Sequence, residues 1–168
     1  MTLTEIEKRL LEAEKKLKEA EKKIQIYADI EQCKQLQNKY VNALARIDWD
    51  EITSCFAEKG TIDVQFGGFI KGKPKIKKFF HEMLSQIHIG KEGIFAIHPI
   101  ITVDGDKAHG NWLMYIMYAD HRTWASRYWL QGIYDVDFVR EKGEWKFGFL
   151  QWRPRLEPPG PPPPTVAP

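Results

Sequence analysis

His98-Pro-Ile-Ile-Thr-Val-Asp-Gly-Asp-Lys-Ala108 reads as a strand, a tight turn and the start of a second strand. Asn111-Trp-Leu-Met-Tyr-Ile-Met-Tyr118 and Tyr128-Trp-Leu-Gln-Gly-Ile-Tyr-Asp-Val-Asp-Phe-Val139 follow, two long runs of aromatic and β-branched residues. Lys142-Gly-Glu-Trp-Lys-Phe147 then closes a hairpin into a last strand. From His98 to Arg155 the chain therefore predicts a curved antiparallel meander rolled around a hydrophobic pocket. Because strand side chains alternate, Gly110, Trp112, Met114 and Ile116 should share one face with Gly132, Tyr134 and Val136. That wall is apolar and aromatic. It suits a moderately hydrophobic, cyclic or polycyclic ligand rather than a highly charged one.

Upstream, the pattern turns helical. At Asp29 a helix start is signalled, with Gln32 three residues on as in a capping box. Ile30, Cys33, Leu36, Gln37, Tyr40, Val41, Leu44 and Ile47 continue an apolar face. Asp48 then caps a helix from Trp49 to Phe56, and Glu58-Lys-Gly60 ends it. Thr61 to Phe66 alternates as a strand, and Gly67-Gly68 turns into a short partner. Pro74 suits the first turn of a third helix, Lys75 to Gln86. The fold class is α+β: a cone-shaped curved antiparallel sheet with three helices, preceded by an extra N-terminal helix.

Three parts are expected: residues 1–28, 29–153 and 154–168. In the first, Leu3, Ile6, Leu10, Ala13, Leu17, Ala20, Ile24 and Tyr27 form a heptad stripe between Glu and Lys residues. A seam so narrow gains little alone, so this helix should pack on another helix, either through self-association as a dimer or trimer, or back on its own domain. The last part, from Pro154, is proline-rich and should be polyproline II or irregular, as a passive tail, a strap or a ligand for another domain.

Charge and motifs narrow the function. Lys plus Arg is 25 against 23 Asp plus Glu, which gives no reason to expect nucleic acid. The basic run Lys71 to Lys78 is local and reads as a solvated face. No apolar signal core or membrane-length run is present, so no membrane partner is expected and a cytoplasmic location is. Cys33 and Cys55 lack metal spacing and fit buried thiols in a reducing compartment. The five histidines, His81, His88, His98, His109 and His121, show no paired ligand spacing, so no metal is expected. No phosphate loop or nucleophile elbow occurs, and no cofactor is expected.

Tyr40-x7-Asp48-Trp-Asp with Cys-Phe-Ala-Glu-Lys-Gly-Thr61, Ile100-Thr-Val-Asp-Gly-Asp-Lys-Ala108 and Gly143-Glu-Trp-Lys-Phe147 together resemble SnoaL-like proteins of the nuclear transport factor 2-like superfamily. The resemblance covers residues 29–153. It implies a cone-shaped α+β barrel, usually a dimer or trimer. It also implies a choice between eliminating or isomerising enzymes, scytalone dehydratase among them, and non-catalytic binding or assembly domains. On it, Asp48 falls where several eliminases keep the Asp of an Asp–His dyad, and Tyr40 where dehydratases place a pocket tyrosine. Trp112, Tyr134 and Val64 match further pocket positions. The partner histidine should stand at or next to Ile94, where none occurs, leaving His98 as a shifted substitute.

The function expected is thus a cofactor-free lyase or isomerase with dehydratase-like acid–base chemistry on a small hydrophobic hydroxy or carbonyl compound. Asp48 would be the base or would orient His98, and Tyr40 or Tyr134 would donate to the leaving hydroxyl or enolate oxygen. Val64, Trp112, Met114 and Tyr134 would line the substrate site, with Asp63 a second carboxylate candidate. Asp48 is equally a good helix cap, His98 a solvated residue at a strand start, and Tyr40 a core residue. The alternative is a non-catalytic small-molecule-binding or oligomerisation domain on the same cone.

Overall fold

A computed structural model describes residues 2–64, 67–120 and 126–156, the side chains of 126–128 excepted. Helix α1 runs without a break over Leu3–Ala45. No Gly or Pro interrupts that span, so nothing local ends the helix at Asp29. The helix start expected there is corrected: Thr2 is the N-cap, in a capping box with Glu5. Asp29 has another role. Its carboxylate accepts hydrogen bonds from Arg140 Nη2 at 2.7 Å, Trp145 Nε1 at 3.1 Å and Gln25 Nε2 at 3.2 Å. The guanidinium of Arg140 also lies over the Trp145 ring, 4.4 Å from its centroid. Asp29 thus marks where α1 meets the sheet. After it, Cys33, Gln37, Tyr40, Val41 and Leu44 are buried at steps of three and four.

Helices α2 (Trp49–Ser54) and α3 (Lys73–Glu82, with Pro74 in its first turn) complete the helical layer, and a 3₁₀ turn follows at Leu84–Gln86. The strands are β1 (Phe56–Val64), β2 (Gly68–Lys71), β3 (Gly93–Asp104), β4 (Lys107–Ala119), β5 (Ser126–Glu141) and β6 (Glu144–Leu156). They form one mixed sheet in the order β2-β1-β6-β5-β4-β3. Every pairing is antiparallel except β1 with β6. Glu58-Lys-Gly60, expected as a helix stop, lies inside β1, because the chain extends directly after the short α2. Pro154 lies inside β6 rather than opening an irregular tail. It follows the last recorded pair with β1, Val64–Trp152, so its missing N–H breaks no bond on that side. The tail from residue 157 on, His121 and Gln65-Phe66 lie outside the described residues.

The expected alternation holds. Trp112 stands opposite Tyr134, Met114 opposite Gly132 and Gly110 opposite Val136, and all face the buried side. Gly110 is required there: a Cβ would sit 2.6 Å from the Trp112 ring, which folds over it. Tyr40 meets four rings edge-on, Phe147 at 5.4 Å, Tyr134 at 5.9 Å, Phe56 at 6.2 Å and Phe80 at 6.3 Å. No helix among the described residues is long and apolar enough to cross a membrane.

The Asp29 network makes a stability prediction. Burial alone would raise its carboxyl pKa, but the Arg140, Trp145 and Gln25 hydrogen bonds outweigh burial and hold it below its ordinary 3.8. Its contribution is therefore fully present above pH 3.8 and is lost as pH falls through the lower folded value. Asp29→Asn should cost about 1–3 kcal/mol in urea unfolding at pH 7. The gap between variant and parent should narrow below pH 3.8; a gap constant with pH would contradict this assignment.

Candidate functional site

The cone holds a small, partly open cavity of about 40 Å³. Tyr40 and Leu44 reach it from α1, Val64 from β1, Leu84 and His88 from the segment after α3. Met114, Ile116 and Tyr118 line it from β4, Tyr134 from β5 and Trp152 from β6. Four of the expected site residues, Tyr40, Val64, Met114 and Tyr134, are thus brought together. Trp112 is not among the lining residues. It is buried deeper, packed against Phe138 with ring centroids 6.0 Å apart.

Asp48 and His98 stand elsewhere. Asp48 is exposed and caps α2, its Oδ1 accepting from the Glu51 backbone N–H at 2.9 Å. Asp48 is not among the residues that line the cavity. His98 is exposed in β3, at a break in the β3–β4 register between Ile97 and Ile100, with φ +53°. Pro99 interrupts the edge strand there, and the bulge aims His98 outward. Asp63 is buried, but on the other face of β1, where Arg153 Nη2 and Gln151 Nε2 (2.9 Å) donate to its Oδ2. It is a structural ion pair.

The residues that sequence reasoning passed over are His88, Glu92, Tyr118 and Trp152. His88 is 5% exposed, with its ring 5.7 Å from that of Tyr118. Its Nδ1 lies 3.9 Å from Glu92 Oε2, too far for a hydrogen bond, and has no hydrogen-bond partner among the described residues. The buried Glu92 carboxylate accepts the backbone N–H groups of Ile89, Gly90 and Lys91 at 2.8, 2.9 and 3.1 Å. It winds the loop on itself and so fixes the position of His88. The local signal was His88-x3-Glu92 around Gly90, a carboxylate one short loop from an imidazole.

Trp152 supplies a second orphan. Its indole Nε1–H is buried without a hydrogen-bond partner among the described residues, and indole is a donor only. The ring lies over Gly132, where a Cβ would be 2.8 Å from Nε1. Opposite, the Tyr40 and Tyr134 hydroxyls are hydrogen-bonded to each other. Burial pushes both phenols far above their ordinary 10.0, so both stay protonated; Tyr134 donates its O–H to the Tyr40 oxygen, which leaves the Tyr40 O–H as the free donor of the pair. Burial also lowers the His88 pKa below 6.5, opposed by the Glu92 carboxylate; the imidazole is the free base at neutral pH. The cavity therefore pairs one neutral base with O–H and N–H donors in an apolar shell.

Other groups are excluded. Burial pushes the Cys33 thiol up to about 12 and the Cys55 thiol to about 11, leaving neither a nucleophile. No cluster of three or more His, Cys, Asp or Glu among the described residues could hold a metal. His109 sits between Asp137 and Asp135 on the solvent-exposed face of the sheet, remote from the cavity.

Residues 25–151 match the family model of the SnoaL-like domain. No curated protein matches the chain. Among solved structures, a protein provisionally described as a scytalone dehydratase from Novosphingobium aromaticivorans is similar with a TM-score of 0.67 and 17% identity, over 77% of this chain and 86% of that one. Hexachlorocyclohexane dehydrochlorinase LinA-type3 from Novosphingobium barchaimii gives a TM-score of 0.67 and 16% identity, over 77% and 88%. A protein of nuclear transport factor 2-like type with a cystatin-like fold, from Novosphingobium aromaticivorans, covers 90% of this chain and 88% of its own at a TM-score of 0.60 and 18% identity. At these identities the likeness establishes the fold.

Two variants test the placement of these groups. Asp48→Ala should cost about 0.5–2 kcal/mol, the loss of a helix cap, read as a lower urea midpoint with unchanged slope. For His88, the unfolded chain takes up a proton below pH 6.5 that the folded one refuses, so stability falls as pH drops below 6.5. His88→Gln should remove that part of the slope; an unaltered pH profile would mean the imidazole is solvated.

Proposed function

The chain belongs to the SnoaL-like family, and we propose that it is a cofactor-free lyase or isomerase acting on a small hydrophobic hydroxy or carbonyl compound. One observation carries this reading: two of the residues that line the largely apolar cavity with Tyr40 and Tyr134, His88 and Trp152, each carry a buried ring nitrogen without a hydrogen-bond partner among the described residues. Buried polar atoms without partners are uncommon and mark places where a polar ligand group completes the bonding.

The proposed chemistry needs only side chains already in the cavity. The neutral His88 imidazole takes the proton from a carbon next to a carbonyl; in an isomerisation the imidazolium returns it to another carbon as the double bond shifts, and in an elimination it passes to the β-hydroxyl, whose C–O bond breaks to release water. Glu92 positions the loop that carries His88 and favours the imidazolium that forms. Oxygen charge developing on the substrate is met by the Tyr40 O–H, itself supported by the hydrogen bond from Tyr134, and by the Trp152 N–H. Asp48 and His98 have no part in this scheme. The relatives named a dehydratase and a dehydrochlorinase, whose printed activities are eliminations, are consistent with it.

The cavity volume favours a second reading. About 40 Å³ is room for water-sized guests, whereas drug-sized ligands occupy roughly 300–1,000 Å³. Leu84 and Tyr118 would have to swing aside for a one-ring substrate. If they do not, the cone is a filled scaffold and serves binding or assembly, including self-association as a dimer or trimer.

The test is a panel of cyclic hydroxy-ketones and secondary alcohols, followed by ultraviolet absorbance of the conjugated product. His88→Gln should lower turnover at least about 100-fold with circular dichroism unchanged, while Asp48→Asn should leave it within about twofold. Turnover that survives His88→Gln would remove the imidazole from the mechanism. Absence of turnover and of thermal stabilisation across the panel would favour the scaffold reading.

A further inference from the structure

We propose that the first part of α1, residues 3–28, pairs with the same segment of a second copy as a parallel, in-register, two-stranded coiled coil. This deepens the self-association element of the reading above and is independent of any turnover in the cone.

Among the described residues of its own chain, nothing buries the seam of this segment. Residues 2–28 are exposed throughout, Ile26 being half-buried. Along the seam Leu3 is 73% exposed, Leu10 and Leu17 each 59%, and Ile24 67%. The stripe spans ~39 Å of helix at ~1.5 Å per residue. Leu3, Leu10, Leu17 and Ile24 occupy heptad position a, and Ile6, Ala13, Ala20 and Tyr27 position d.

The flanks identify the occupant and its direction. Position e is acidic three times running, at Glu7, Glu14 and Glu21; position g is basic three times, at Arg9, Lys16 and Lys23. In a parallel pair, each g residue faces the e residue of the partner's next heptad. Arg9 then meets the partner's Glu14 and Lys16 the partner's Glu21, and symmetry doubles both contacts. In an antiparallel pair, g faces g and e faces e. Lys16 would meet the partner's Lys16, Arg9 the partner's Lys23, Glu14 the partner's Glu14, and Glu7 the partner's Glu21.

Packing alone leans the other way. An antiparallel arrangement sets Leu10 against Ala20 and Leu17 against Ala13, giving layers of even size, whereas the parallel one alternates wide Leu and narrow Ala layers. The four flanking contacts of the parallel pair are all attractive and the six of the antiparallel pair all repulsive, and like charges so placed select against the wrong partner orientation. The same charged flanks confine the apolar seam to a and d, which suits two strands rather than a larger bundle. A parallel pair puts both cones at the same end of the coil.

The full-length chain gives the test. Cys33 and Cys55 are buried, so oxidation is confined to an introduced thiol. Leu3→Cys should form a disulfide-linked dimer under oxidised glutathione, and light scattering should give the mass of two chains. Cross-linking only in a mixture of Leu3→Cys with Tyr27→Cys would establish antiparallel pairing and overturn the proposal. A one-chain or three-chain mass, or a dimer that persists in Leu10→Glu/Leu17→Glu, would overturn it as well. Glu14→Lys/Glu21→Lys should weaken the dimer about tenfold or more, and adding Arg9→Glu/Lys16→Glu should restore it; no weakening would refute the charge argument.

Discussion

Everything in the cone is organised around one buried ring. Tyr40, on the inward face of α1, touches Phe56 of β1, Phe80 of α3, Tyr134 of β5 and Phe147 of β6, each edge-on. Edge-to-face contacts set the positive rim of one ring against the negative face of the next. A single residue thereby fixes the distance of helix from sheet and of one sheet segment from another. Its hydroxyl, held by that of Tyr134, also becomes the floor of the cavity. Packing and the proposed chemistry therefore rest on the same side chain.

The second constraint is electrostatic. Asp29 joins α1 to β5 and β6 through Arg140 and Trp145. On one side of it the helix is covered and on the other it is bare. The 43-residue helix is thus two functional lengths in one element, divided by where its burial begins and not by any change in conformation.

The sheet was legible because strand periodicity needs no tertiary information. Trp112, Met114 and Ile116 against Tyr134 and Val136 follow from alternation alone. Helix boundaries were harder. Asp29 and Gln32 match a capping box, but such a pair starts a helix only where the preceding chain is not already helical, and here helix formers continue on both sides. The site was half legible. Tyr40, Val64, Met114 and Tyr134 sit on regular elements, so their direction could be deduced. Asp48 has the right chemistry, but capping and catalysis ask for the same residue type, and only its direction separates them. His88 lies in an aperiodic loop, where no repeat predicts which way a side chain points. Its burial depends on Glu92 gathering three backbone N–H groups.

The strand order has a consequence for how the chain reaches this shape. The one parallel seam joins β1 to β6, so residues 56–64 lie beside residues 147–152. Among the described residues β1 has only the four-residue β2 as a strand partner until β6 has been made. Contacts so far apart in sequence are slow to form, because loop closure precedes their reward. The meander of β3 to β6 can zip locally, but the seam that turns a curved sheet into a cone is a late event. Closing that seam also completes the cavity wall, because Val64 of β1 and Trp152 of β6 are partners in register across it.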